Sequence, residues 1–367
     1  MKPIISNISE DGSIYKFTLS GLNVSLANAL RRTIMTDIPI VSFYTETYEN
    51  NECNISVNTT RLHNEILKHR LSCIPVVVQD LDILPGKYIL DVDVENNTDS
   101  TMFVTTEHFR IKNKETDKYL TDVEQHKIFP KCQITNMFID FGRLRGKISD
   151  AIPGERISLT AEFSVHTAKE NGMYNVVSNC AYGNTIDNVK AKTIWDEQEN
   201  RLKGEGATTE EISFQKKNYY ILDVQRHFIE NSFDFILETI GIFENKEIVT
   251  KACIVLQNKM VQLIQSIDSD TIKIHRSENT VENSFDIILE NEDYTIGKTI
   301  ELMLYEKYYM TEKELSFCGF KKMHPHDDDS ILRISFHENK DKIRVRELLR
   351  SACLDARVIF NTIRELF

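Results

Sequence analysis

FTLSGLNVSLANALRRTIMTDIP, residues 17–39, is the stretch on which the reading of this chain turns. Residues 14–19 alternate, with Tyr15, Phe17 and Leu19 on one face and Lys16 and Thr18 on the other, the period of a half-buried strand. Gly21 breaks it. Leu26, Leu30 and Ile34 then recur at the i, i+4, i+8 spacing of an amphipathic helix, with Asn23 or Ser25 placed to cap its start and Pro39 to stop it. Small Ala27 and Ala29 permit close approach by another helix, while Asn28, Arg31 and Arg32 point away from the apolar stripe. Adjacent arginines on a helix fit a solvated face, or a pair docked on the carboxylates or carbonyls of a partner.

Working outward, residues 42–170 are β-rich, with strands expected near 43–48, 87–94, 101–111, 132–140 and 156–166, and one helix over 62–71. Residues 196–213 are polar, contain Gly204 and Gly206, and read as an exposed loop. A strand with Phe233, Phe235 and Leu237 on one face leads to a long helix over 245–266, striped by Ile248, Ala252, Val255 or Leu256, and Leu263. The same plan then returns. Phe285, Ile287 and Leu289 mark a strand before a helix carrying Ile296, Ile300 and Leu304. Another strand over 331–336 precedes a final helix over 340–367 with Leu349, Ala352, Ala356, Ile359, Ile363 and Phe367 in line.

NSFDFILE (231–238) and NSFDIILE (283–290) are nearly identical, yet the first precedes the second helix of its module and the second precedes the first helix. They are therefore read as non-equivalent strands. Four helices with apolar stripes need partner surfaces, and pairing one module on the other supplies them as a pseudo-two-fold dimer within the chain. Two unrelated α+β domains on a linker is the alternative that pattern leaves open. The expected class is α+β. The first module is discontinuous (1–42 and 172–267), a β-rich domain is inserted at 43–171, and a smaller module follows at 268–367.

Fifty-six Asp and Glu against 44 Lys and Arg give a net charge of −12, which argues against unaided nucleic-acid binding driven by phosphate neutralisation. MKPIISNISEDGS lacks the basic start and apolar core of a signal peptide, and runs such as 74–78 are too short to span a bilayer. The seven cysteines are isolated, without a CxxC pair, which argues against a zinc knuckle or disulfide framework and for a reducing intracellular setting. Asp91, Asp93 and Glu95 have the chemistry of a two-metal site, but on a strand that spacing is the polar face opposite Val92 and Val94. His324, His326 and Asp327 to Asp329 have metal-ligand chemistry as well. Lys203, Gly204 and Gly206 lack phosphate-loop spacing, and the order of elements supports no Ser-His-Asp or Cys-His site. No catalytic, metal-binding or cofactor-binding residue is expected.

Residues 17–39 resemble the opening of the alpha-like RNA polymerase subunits: the N-terminal domain of bacterial alpha, the archaeal D subunit and the third-largest subunit of eukaryotic polymerase II. LHNEILKHRLSCIPV (62–76) is similar to the start of their inserted domain. ENEDYTIGKTI (290–300) and FCGFKKMHPHDDDSILRIS (317–335) resemble the small alpha-like partner, the archaeal L subunit or its eukaryotic counterpart. Here both patterns lie in one chain, an arrangement associated with large nucleocytoplasmic DNA viruses. That origin would imply the host cytoplasm, as a viral factory, and the virion.

The resemblance implies two alpha-like dimerisation modules paired within the chain through Leu26, Leu30, Ile34, Ile296, Gly297, Ile300, Leu304, Leu349, Ala356 and Ile363. It also implies that Asn28, Arg31, Arg32, His69 and Arg70 face the second-largest polymerase subunit. The function so implied is that of a non-catalytic assembly subunit that binds the two largest subunits beside small zinc-bearing ones, with no cofactor. It also makes the His324 segment a surface turn between strands. Tethering the modules at roughly millimolar effective concentration favours a chain monomeric in that pairing. Departures are visible. Cys53, Cys73, Cys132 and Cys180 lack the metal-cluster spacing of some relatives, Asn171 and Tyr174 in TAKENGMYN (167–175) replace a usual His and Trp, and Tyr294 replaces a usual His. The rival functions are a free-standing binding scaffold and a metal-dependent nuclease or nucleotidyltransferase.

Overall fold

The computed structural model describes residues 1–149, 151–277 and 281–367. In chain order its elements begin β1 (Ile4–Asp11), β2 (Ile14–Ser20), α1 (Val24–Thr36), β3 (Ile40–Ser42), β4 (Cys53–Asn58), α2 (Asn64–Ser72), β5 (Tyr88–Glu95) and β6 (Met102–Thr105). There follow β7 (Arg110–Asn113), α3 (Asp122–Ile128), β8 (Asp140–Leu144), β9 (Arg156–Glu162), β10 (Ser164–His166), β11 (Val177–Ile186), α4 (Asn188–Gly204) and α5 (Thr209–Asn218). The last are β12 (Phe228–Thr239), α6 (Asn245–Asp268), β13 (Ile274–Arg276), β14 (Ser284–Leu289), α7 (Tyr294–Leu304), β15 (Leu315–Lys321), β16 (Ser330–Phe336) and α8 (Lys342–Glu365). The fold is mixed α+β. It divides into two compact units: Met1–Thr33 with Asn179–Glu238 and Val249–Phe367, and Ile34–Ser178 with Thr239–Ile248.

The first unit holds two four-stranded sheets, ordered β1-β2-β12-β11 and β13-β14-β16-β15. The orders correspond strand for strand: the two inner strands of each sheet lead into the helices, β2 to α1 and β12 to α6, then β14 to α7 and β16 to α8. Alternation along the inner strands buries Tyr15, Phe17 and Leu19, Phe233, Phe235 and Leu237, Phe285, Ile287 and Leu289, and Leu332, Ile334 and Phe336. Phe17 and Phe235 are register partners and stack at 5.0 Å between ring centres. NSFDFILE lies on β12 and NSFDIILE on β14, inner strands with different places in their sheets. Their likeness has a local cause. Asn231 (φ 57°) and Asn283 (φ 53°) both adopt the left-handed conformation that Asn tolerates, just before the buried phenylalanine.

The second unit is built on the antiparallel sheet β4-β9-β5-β7, with ribbons β6-β8 and β10-β3. Leu90, Val92, Ile157 and Leu159 meet Phe109, Phe129 and Phe141 in its core, and Leu67 and Leu71 of α2 join them. Phe109 makes edge-on contacts with Phe129 and Phe141 at 5.3 and 5.5 Å.

Several expectations are corrected. Residues 196–213 are largely helical, in α4 and α5. Asp187 caps Lys190, and Thr208 forms a capping box with Glu211. Ala191 and Trp195 of α4 close a small core with Tyr219 and Val224. So few buried positions on so polar a pair leave little periodic signal. The strand expected over 132–140 starts only at Asp140, because Cys132 and Asn136 close a turn in which Ile134 is 94% exposed. Residues 43–48 hold no strand; the flanking strands are β3 and β4. Residues 101–111 form two strands in different sheets, β6 and β7, parted by a turn at Thr106–His108.

Candidate assembly interface

α1 starts where Asn23 Oδ1 accepts the Ser25 backbone N–H at 2.9 Å, and it buries Leu26, Ala27, Ala29 and Leu30 completely or nearly so. Asn28 and Arg31 are half-buried, and Arg31 Nε donates to Asn28 Oδ1 at 3.1 Å. The Arg31 charge also acts on β11, where burial pushes the Cys180 thiol up to about 12 and raises Tyr182, each partly offset by that guanidinium. Arg32 turns to the start of α7. Its Nη2 pairs with Asp293 and its Nε donates to Thr295 Oγ1 at 2.8 Å.

Asp293 is itself the cap of α7, accepting the Thr295 N–H at 2.8 Å. Ile296, Gly297, Ile300 and Leu304 of α7 are buried, as are Leu349, Ala356 and Ile363 of α8, and the two helices pack together. Gly297 lets the Phe320 ring approach closely: a Cβ there would lie 1.9 Å from the ring and force it to move. Ile34, on the last turn of α1, is buried within the second unit.

Further links within the first unit join the segments on either side of residue 268. Phe367 lies edge-on to Phe17 at 5.0 Å and near Tyr15 at 6.4 Å. Lys259 pairs with Glu292 at 3.3 Å, while Arg350 with Asp268 at 3.1 Å and Arg346 with Asp270 tie α8 to the end of α6 and the turn after it. The stripe of α6 passes through Ile248, Ala252, Leu256 and Met260; Leu256, rather than Val255, is the buried member, and Leu263 lies at the partly exposed edge.

His69 and Arg70 belong to the second unit and are exposed. Arg70 donates to the carbonyls of Phe141 (2.6 Å) and Asp140 (2.7 Å), so part of its donor capacity braces α2 on β8. Asn171 donates to Glu46 at 2.6 Å, and buried Tyr174 stacks on His166 at 5.1 Å.

One arrangement lies outside what element order indicated. Ser164 Oγ is 2.9 Å from His166 Nε2, whose Nδ1 is 2.6 Å from Glu170 Oε2. These are the contacts of a hydrolytic triad, but the Ser164 hydroxyl donates to Glu52, which occupies its proton and pins β10 instead. Of the other acidic candidates, Asp93 forms a two-bond pair with Arg156 (2.8 and 2.7 Å) and Asp91 accepts from Tyr119 at 2.6 Å, across the polar face of β5. His324 and His326 lie in the exposed turn between β15 and β16.

Two ion-paired carboxylates of the first unit predict an acid limit. Burial raises the Asp293 pKa, but the Thr295 backbone and side-chain hydrogen bonds and Arg32 outweigh it and leave the group below the usual carboxylate range. Arg344 grips Glu314 at 2.9 and 2.7 Å and depresses it likewise. A group more acidic in the folded chain lends stability that is complete above its unfolded value, near 4, and lost as pH falls through the folded value. Unfolding free energy is therefore expected to drop below about pH 4. Asp293→Asn and Glu314→Gln should each flatten that drop in a denaturant series across pH; an unchanged slope would exclude these two groups.

Asp293 and Thr295 were not among the residues singled out from sequence. The available signal is Asp293 two residues before Thr295, at the start of Tyr-Thr-Ile-Gly, and it marks a cap without naming the cap's partner.

The model of the RNA polymerase Rpb3/Rpb11 dimerisation domain matches residues 16–260, more than half of the chain. A protein of Methanosphaera stadtmanae named DNA-directed RNA polymerase subunit Rpo3 is 23% identical over 280 residues, covering 69% of this chain and 94% of that one. The protein of the same name from Pyrococcus furiosus is 43% identical over 61 residues, 17% of this chain and 21% of that one. A Caenorhabditis elegans protein named Probable DNA-directed RNA polymerases I and III subunit RPAC2 is 35% identical over 81 residues, 22% of this chain and 51% of that one. With its strand–helix modules and its matched span from β2 into α6, the chain belongs to the RNA polymerase Rpb3/Rpb11 dimerisation domain family.

Proposed function

We propose that this chain is a non-catalytic assembly subunit of a DNA-directed RNA polymerase in which two alpha-like modules are joined and paired within one polypeptide. The observation that carries the reading is the repeated sheet order, with α1 of the first half bonded through Arg32 to the cap of α7 in the second. The paired body serves as a platform for the largest and second-largest subunits, with small zinc-bearing subunits alongside. Phosphodiester chemistry and its metal ions belong to the large subunits. A joined pair fits a large DNA virus, which would place the protein in the host cytoplasm.

Affinity purification of the tagged full chain from its native source tests the assignment. Recovery of the two largest polymerase subunits is expected; their absence would leave a binding scaffold outside a polymerase. Arg31 is half-buried beside Asn28 on α1, and our reading assigns it to the surface that meets the second-largest subunit. Arg31→Glu should cut recovery of that subunit about tenfold while leaving the unfolding midpoint within a degree or two, because reversing a charge at an interface costs about 1–3 kcal/mol or more. Undiminished recovery would remove Arg31 from the interface.

A further inference from the structure

We infer that Arg32 and Asp293 form a one-sided latch that sets which modules pair, favouring unlike over like. The inference rests on the paired-module reading above. Its basis is a comparison of two helix starts. Asn23 Oδ1 holds the Ser25 N–H at 2.9 Å, and Asp293 Oδ1 holds the Thr295 N–H at 2.8 Å, so the two caps are geometrically the same device. The apolar stripes stand at the same offsets from the caps, Leu26 and Leu30 on α1 and Ile296 and Ile300 on α7, all buried.

Counted from the caps, Arg32 of α1 corresponds to Leu302 of α7. Arg32 reaches the charged cap and the Thr295 hydroxyl of the other helix. The mirror contact would join Leu302 to Asn23, a leucine and a neutral amide with no charge to exchange. At these matched positions the sequence places a cation on one helix only and an anionic cap on the other only.

Pairing of like modules would waste both groups. Two first modules would set Arg32 against the Asn23 of a second copy, and two second modules would set Leu302 against Asp293. Either arrangement withdraws a charge from water without an opposite charge. Asp293 is roughly two-thirds buried and Arg32 nearly as much, so the penalty is felt, and specificity arises from what the wrong pairing lacks. Asp293 also carries the α7 cap, so releasing Arg32 loosens the start of the helix that bears Ile296 and Ile300.

A double-mutant cycle in the full-length chain tests this. Arg32→Asp, Asp293→Arg and the two together are compared by denaturant unfolding. Loss of the cap is common to both corners that carry Asp293→Arg and cancels in the coupling. Each single reversal should lower the folding constant about tenfold, and the double reversal should recover more than about threefold of it, a coupling that shrinks as NaCl is raised. Coupling of threefold or less overturns the latch. If the reversals do not fold, Arg32→Gln with Asp293→Asn gives a milder cycle, because Asn preserves the cap, and the absence of coupling there overturns it equally.

A second cycle, Asn23→Asp with Leu302→Arg, installs the mirror latch. Coupling above about threefold there supports the two-fold relation of the modules. Its absence, with coupling at 32 and 293 intact, overturns the two-fold pairing and leaves the Arg32–Asp293 bond standing as a contact without that role.

Discussion

Ile300→Asp is expected to abolish cooperative folding of the first unit. Ile300 is 0% exposed, and it lies on α7 among Ile296, Met303 and Leu304. An aspartate at that position must either ionise without water or a counter-ion, or remain protonated at neutral pH. Either route costs several kcal/mol on top of the apolar burial that the isoleucine supplied. A loss above about 4 kcal/mol approaches the whole stability of a typical domain. Val358→Asp is the control, since Val358 is 64% exposed on α8, and it should shift stability by no more than about 0.5 kcal/mol. Near-ultraviolet circular dichroism and denaturant unfolding of the two variants decide the matter. A folded Ile300→Asp chain with a midpoint like that of Val358→Asp would show that α7 does not bury this face in solution.

Gly154→Ala is expected to be the most damaging single-methyl change in the second unit. A Cβ at Gly154 would lie 1.7 Å from the Asn96 carbonyl oxygen and 2.8 Å from its carbon. Neither is the free end of a side chain. Asn96 is fully buried, its Nδ2 donating to the carbonyls of Ser100 (2.8 Å) and Leu144 (2.9 Å), and its own N–H is bonded to Glu155 O at 3.0 Å. Glu155 in turn holds Arg145 through both the backbone N–H (2.8 Å) and the guanidinium (2.5 Å). Moving the obstructing carbonyl breaks this set of bonds together, so a loss of about 3 kcal/mol, at the upper end for overpacking, is expected. Gly183→Ala is the comparison, because nothing lies within 4 Å of its Cβ position. Thermal unfolding in which the two alanine variants behave alike would show that the Asn96 carbonyl yields without disturbing its neighbours.

The helices α4 and α5 were hidden by their polar sequence, because Ala191 and Trp195 supply the buried positions of α4 while α5 buries none. Their N-terminal signals were nevertheless legible: Thr208 with Glu211 has the spacing of a capping box. At Ile134 the opposite error occurred. The run 132–140 is expected to be a strand, and a turn closed by Cys132 and Asn136 leaves Ile134 in water. Alternation reports a strand only where a second layer exists to cover one face, and local sequence does not say whether it does.

What sequence by itself determined was the inner strands of the first unit, the helices α1, α6, α7 and α8, most of their buried stripes (on α8 Phe360, rather than Ile359, is the buried member) and the family they resemble. Those depend on period and on caps, which are properties of neighbouring residues. The destination of Arg32 was decided only by tertiary structure. Its neighbours in sequence are the same whether it faces solvent, a partner subunit or Asp293, and the choice is made by a helix start more than two hundred residues away. Long-range pairing of charges follows from which backbones are brought together, and that is set by the packing of both sheets and all four helices at once.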